Sequence, residues 1–76
     1  MEMTALRIPP EIKDKAARRL DSLQNISTPE DVDIPGYGLH ELNGTPRRWR
    51  IHVEGLFYLT FGWEGGPVGI ELWTAD

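Results

Sequence analysis

The chain has no cysteine, which excludes a disulfide framework, a thiolate nucleophile and any cysteine-ligated metal. It has only two histidines, His40 and His52, too few to make a zinc site on their own, so neither a metal nor a cofactor is expected. It has no long apolar run. The longest, Leu56 to Trp63, is broken by Thr60 and Gly62 and falls far short of the about 20 residues needed to cross a bilayer, so no membrane partner is expected. The amino terminus shows no basic segment followed by an apolar stretch and a small-residue cleavage site, and the expected location is the cytoplasm. A basic excess is missing too. Eight Lys plus Arg stand against twelve Asp plus Glu, a net charge of -4, whereas grip on nucleic-acid phosphates normally rests on surplus cations. No Ser-His-Asp order is present, and Gly65-Gly66 is a turn, since a phosphate loop needs a helix after it.

What is present reads as one small domain. At 76 residues the chain is too short for two independent cores, so residues 1–76 are taken as a single unit. With 39% hydrophobic residues it is globular in composition rather than disordered. Ile12, Ala16, Leu20 and Leu23 recur at helical spacing after Pro9 and Pro10, which suit a first helical turn because proline lacks an amide hydrogen. Pro29 ends that pattern, and Ser27 or Thr28 is placed to cap a short helical turn through Glu30 and Asp31. Ile34-Pro35-Gly36-Tyr37-Gly38 and Asn43-Gly44-Thr45-Pro46 are turn chemistry, with Leu39 and Leu42 a short apolar alternation between them.

From Trp49 the period becomes two. Trp49, Ile51 and Val53, then Phe57, Leu59, Phe61 and Trp63, then Val68, Ile70 and Leu72 predict three strands with those residues facing the helix. Glu54-Gly55 is read as the first hairpin loop and Glu64-Gly65-Gly66-Pro67 as the second turn, with Pro67 preceding the last strand. The expected fold class is α+β, one main N-terminal helix packed on a small antiparallel β-meander.

Two surfaces carry candidate chemistry. Arg48, Arg50, His52, Tyr58 and Thr60 are expected on the sheet face away from the helix. With Arg47 and His40 nearby, that face has cations to hold a phosphate and an imidazole to move a proton. The competing reading is ordinary cross-strand pairing of exposed polar residues. Ser27 to Pro46 holds Glu30, Asp31, Asp33 and Glu41 with no Lys or Arg, an acidic segment suited to a basic partner. Trp73, placed beyond the last strand and half exposed, is the interface candidate among the tryptophans.

The segments Asp33-Ile34-Pro35-Gly36-Tyr37, Leu39-His40-Glu41-Leu42-Asn43-Gly44, Trp49-Arg50-Ile51-His52-Val53 and Leu59-Thr60-Phe61-Gly62-Trp63-Glu64 give the chain its family likeness. From about Ile8 to Trp73 it resembles the HigB branch of the RelE-type toxins, the plasmid maintenance killer proteins. That resemblance implies a compact helix and antiparallel sheet, ribosome-dependent cleavage of mRNA, and restraint by a cognate antitoxin. The chain departs from the family where the chemistry lies. Gly38 replaces an arginine before the Leu-His pair, Tyr58 and Gly62 stand at or near family arginines, and Trp73-Thr74-Ala75-Asp76 replaces an Asp-Tyr-His-like tail. The family's leading strand and helix are expected to be missing here.

The leading expectation is therefore a toxin-fold protein that has lost RNA cleavage, has no catalytic residues and acts by binding. The role envisaged is that of a mobile-element inhibitor of a host nucleic-acid machine, in the manner of an anti-CRISPR. Glu30, Asp31, Asp33, Glu41 and Trp73 would meet the host protein or ribonucleoprotein. The alternative is a working endonuclease acting on ribosome-bound mRNA through His40, Arg47, Arg48, Arg50 and His52. A third reading is a decayed toxin that keeps only antitoxin binding. The missing leading elements further predict exposure among Leu6, Ile8, Phe57, Leu59 and Trp73, covered by a homodimer or by a partner.

Overall fold

The computed structural model describes residues 8–74, so Leu6 and the Ala75-Asp76 end of the tail lie outside the described residues. Helix α1 spans Pro10–Gln24 with proline in its first turn, and the carbonyl of Pro9 accepts the amides of Ile12 and Lys13 at 3.0 and 3.1 Å. The predicted stripe is the one that packs: Ile12 and Leu23 are buried, and Ala16 and Leu20 are half-buried. The helix stops without a capping glycine. Asn25 closes it instead, its side-chain amide donating to the Asp21 carbonyl at 2.7 Å and its backbone amide to that of Ser22 at 3.1 Å.

A 3₁₀ turn, Pro29–Val32, follows. Its geometry depends on Asp31, whose Oδ2 accepts the amides of Ser27 and Thr28 at 3.0 and 3.1 Å. Those amides precede the turn and have no partner within it, so the carboxylate supplies the missing acceptor. The turn then buries Pro29 and Val32 against the rest of the core.

Four strands, β1 (His40–Leu42), β2 (Arg48–Glu54), β3 (Phe57–Trp63) and β4 (Pro67–Thr74), form one antiparallel sheet in chain order. The α+β class and the helix-on-meander arrangement are as expected, with β1 as a fourth, three-residue strand where only a short alternation was read. Trp49, Ile51, Val53, Leu59 and Phe61 close the core with Ile12, Leu23 and Val32. Trp49 stacks on Phe61 with centroids 6.1 Å apart, and Trp63 meets Phe61 edge-on at 6.5 Å.

Several expectations need correction, and backbone geometry explains most of them. The first hairpin loop is Gly55-Leu56 rather than Glu54-Gly55, because the register slips between His52 and Glu54 and pairs Glu54 with Phe57. Gly55, at φ +59°, takes the first loop position, the glycine-first order of a type II′ turn. In β4, two residues, Gly69 and Ile70, oppose the single Phe61 of β3 between the pairs Thr60–Glu71 and Gly62–Val68. Gly69, at φ +56°, absorbs the extra residue. That bulge turns Val68 away from the helix, to the face shared by Gly62 and Arg48, while Ile70 and Leu72 keep the inward parity. Pro67 is the first residue of β4 rather than a residue before it. Trp73 lies inside β4 opposite Tyr58, not beyond the strand.

Exposure also falls in a different place. Leu59 is buried and Ile8 and Phe57 pack partly on the core, so among the described residues the large apolar side chains that stand exposed are Ile34, in the turn before β1, and Leu56, in the β2–β3 loop. No described helix is long and apolar enough to cross a membrane.

Candidate functional site

The register sorts the candidate residues. On the sheet face away from α1, His40 lies opposite Arg50, which lies opposite Thr60, which lies opposite Glu71. Above and below that row run Leu42, Arg48 and Gly62, and His52, Tyr58 and Trp73. Arg48, Arg50, Tyr58, Thr60, Glu71, Trp73 and Leu42 line a shallow groove of about 290 Å³ across this face. His40, Arg48, Arg50, His52 and Tyr58 are therefore brought onto one surface. Arg47 is not. It precedes β2 on the helix side of the sheet, with its guanidinium 4.8 Å over the ring of Trp49.

Most of the cations on offer are already engaged. Arg47 clasps Glu41 with two parallel bonds, Nε to Oε2 at 2.8 Å and Nη2 to Oε1 at 3.0 Å. This pairing holds the Glu41 carboxyl below the usual carboxylate range, and Arg47 is raised by the same hydrogen bond and charge. Arg48 lies across the face, donating from Nη2 to the Gly69 carbonyl at 2.6 Å and to Thr60 Oγ1 at 3.3 Å, with Glu71 3.9 Å away. Thr60 is buried at 6% exposure beneath this network, so the face is not wholly solvated. Glu71 also accepts the indole N–H of Trp73 at 3.1 Å.

His52 is tied to its own hairpin, its Nε2 lying 2.9 Å from the Gly55 carbonyl. Arg50 and His40 remain. Arg50 sits 5.4 Å over Tyr58, and among the described residues neither it nor His40 has a carboxylate partner.

The acidic segment divides in the same way. Asp31 is held below the usual carboxylate range by the Thr28 amide first and the Ser27 amide second, and so serves the 3₁₀ turn. Glu41 serves Arg47. Glu30 and Asp33 are the members left facing solvent without a described partner.

Sequence reasoning missed the residues that shape the groove. Gly69 and Gly62 leave room for Arg48: a Cβ on Gly69 would stand 2.9 Å from Arg48 Nη1, and one on Gly62 would stand 3.6 Å from it. Single glycines inside period-two segments are the signal that would have found them. Arg19 was also missed. It stacks 3.9 Å over Tyr37 and donates to the carbonyls of His52 and Gly36 at 3.3 and 3.4 Å, fastening α1 to the loop before β1. The Tyr37 hydroxyl lies 2.9 Å from Ser22 Oγ, and that hydrogen bond, with Arg19 adding to it, holds the phenol below its ordinary value.

Comparison with protein-family models and with curated proteins yields no match to this chain.

Proposed function

We propose that this chain is a toxin-fold protein, of the kind its resemblance to the HigB branch suggests, that binds rather than cuts. It acts as an inhibitor of a host nucleic-acid machine carried by a mobile element, in the manner of an anti-CRISPR, with a host protein or ribonucleoprotein as its partner. One observation supports this reading above the others: most of the cations that an RNA-cleaving face would need, Arg50 excepted, are spent within the molecule. Cleavage at a phosphodiester builds negative charge in the transition state, and each positioned donor removed costs on the order of 10²- to 10³-fold. Arg47 is neutralised by Glu41, Arg48 by the Gly69 carbonyl and Glu71, and His52 is bonded to Gly55. The net charge of -4 also disfavours a phosphate-tracking role.

The second reading, a toxin cutting ribosome-bound mRNA and silenced by an antitoxin, draws on the register that sets His40 against the unpaired Arg50. The two readings separate cleanly in one assay. Purified protein added to translating ribosomes is expected to leave mRNA intact, and its induction is expected not to arrest growth. Codon-dependent cuts mapped by primer extension, abolished by Arg50→Ala, would establish the toxin instead. Protection of phage from a CRISPR effector in a host expressing the chain is the positive arm.

A further inference from the structure

At the end of the sheet where β2 begins and β3 ends lies a cleft of about 480 Å³, which shares only Arg48 with the groove on the open face. Trp63, half-buried and edge-on to Phe61, supplies its aromatic wall, and Glu30 and Glu64 stand at its rim. Arg47 and Arg48 also line it, yet neither guanidinium is free, for Glu41 clasps the first and Glu71 stands beside the second. Glu41 and Glu71 lie outside the cleft and offset its two guanidinia, so the lining carboxylates of Glu30 and Glu64 are the charges left without an ion-pair partner. Among the described residues, the side-chain carboxylates of Glu30 and Glu64 have no hydrogen-bond or ion-pair partner, and Glu30 reaches Arg47 only through space.

We infer that this cleft receives the guanidinium of an arginine side chain presented by a partner protein. A planar cation can lie against the indole of Trp63 while donating to the two rim carboxylates, a combination that suits arginine better than lysine. The molecule already uses this arrangement internally. Its own guanidinia stack over Trp49, Tyr37 and Tyr58, whereas Trp63 carries none among the described residues. The assignment to a protein partner rests on the binding function proposed above, since a nucleic-acid machine offers arginines in its nucleic-acid groove, and an acidic, aromatic cleft complements them.

The test is a titration of the isotopically labelled protein, followed by NMR, with three probes of equal size: the blocked amides of arginine, lysine and citrulline. The arginine probe is expected to shift the Trp63 indole and Glu64 amide resonances saturably, the lysine probe more weakly, and the neutral citrulline probe not at all. Glu30→Gln with Glu64→Gln should weaken the arginine probe about tenfold or more, the loss of two charge-assisted hydrogen bonds, while leaving the far-UV spectrum unchanged. Trp63→Leu, checked for folding in the same way, should weaken it as well. Equal response to citrulline, or undiminished binding in the double glutamine variant, would overturn the site. Displacement of the arginine probe by spermidine at lower concentration would make it a polyamine site and overturn the assignment to a protein partner. Failure here leaves the cleavage and interference assays untouched, so the cleft and the binding reading fail separately.

Discussion

At the scale of single residues, charge placed for a partner has to be distinguished from charge the fold consumes. Asp31 looks like one of four equivalent acids in the sequence, yet it alone accepts two backbone amides ahead of the 3₁₀ turn. Its folded value is depressed, so its contribution to stability is complete above the ordinary carboxylate range and is lost as pH falls through the depressed value. Asp31→Ala should therefore lower the urea midpoint at pH 7, and the gap from the parent should close as the solution is acidified below about pH 4. Glu30→Ala should leave the midpoint nearly unmoved at both pH values. A gap that persists under acid would assign the effect to packing rather than to the ionised cap.

Gly69 is the second residue whose role the sequence conceals. It combines a left-handed backbone with an Arg48 guanidinium where a Cβ would stand. Gly69→Ala should cost about 1–2 kcal/mol for the backbone conformation alone, with crowding against Arg48 added to it. Adding Arg48→Ala should recover the crowding part and leave the backbone part, which a double-mutant cycle by chemical denaturation separates. Additive losses would mean that Arg48 yields freely and that the two positions are uncoupled.

At the scale of elements, the helix and the inward parity of β2 and β3 were legible because each is a repeat: apolar residues at helical spacing after two prolines, then at every second position from Trp49. What was not legible depends on a backbone angle at one residue. The bulge at Gly69 turns Val68 to the opposite face, and nothing in a period-two pattern announces where such a turn occurs. The shift of the first loop to Gly55-Leu56 comes from the slip at the end of β2, again one residue wide. β1 has three residues and holds its place through pairing with β2, which no local pattern encodes. The candidate site fared similarly. Arg48, Arg50, His52 and Tyr58 were placed on the right face by parity, while the engagement of Arg48 and Arg47 depended on Glu71, Gly69 and Glu41, neighbours that only the sheet register supplies.

The element most exposed to damage is α1, because it touches the sheet through few fully buried side chains. Leu23 has no exposed surface and Ile12 has little. Leu23→Ala should cost about 2–5 kcal/mol, against a total stability of roughly 4–11 kcal/mol for a domain of this size. Leu20→Ala, at a half-buried position on the same stripe, should cost distinctly less. Thermal unfolding followed at 222 nm checks the order; equal losses would show that the helix is held by its whole stripe rather than by its buried end.

At the scale of the whole molecule, the oligomeric state turns on what is left uncovered. The sequence led us to expect exposure among Leu6, Ile8, Phe57, Leu59 and Trp73, covered by a second copy or a partner. Leu59 is buried and Ile8, Phe57 and Trp73 are half-buried, while Leu6 lies outside the described residues. Among the described residues that weakens the apolar reason for a dimer, leaving Ile34 and Leu56 at two separate turns and the sheet edges as routes to self-association. The edge at β1 is three residues long and carries His40 and the Glu41–Arg47 pair, a short charged border that does not invite a further strand. The edge at β4 is longer, yet it opens with Pro67, is bent by the Gly69 bulge, and bears Glu71. Each of these devices spoils a flat ladder. The chain is therefore expected to sediment as a monomer at micromolar concentration, the net charge of -4 adding mutual repulsion at low salt. A stable dimer that Glu71→Ile strengthens and Gly69→Pro abolishes would place self-association at the β4 edge and overturn this expectation.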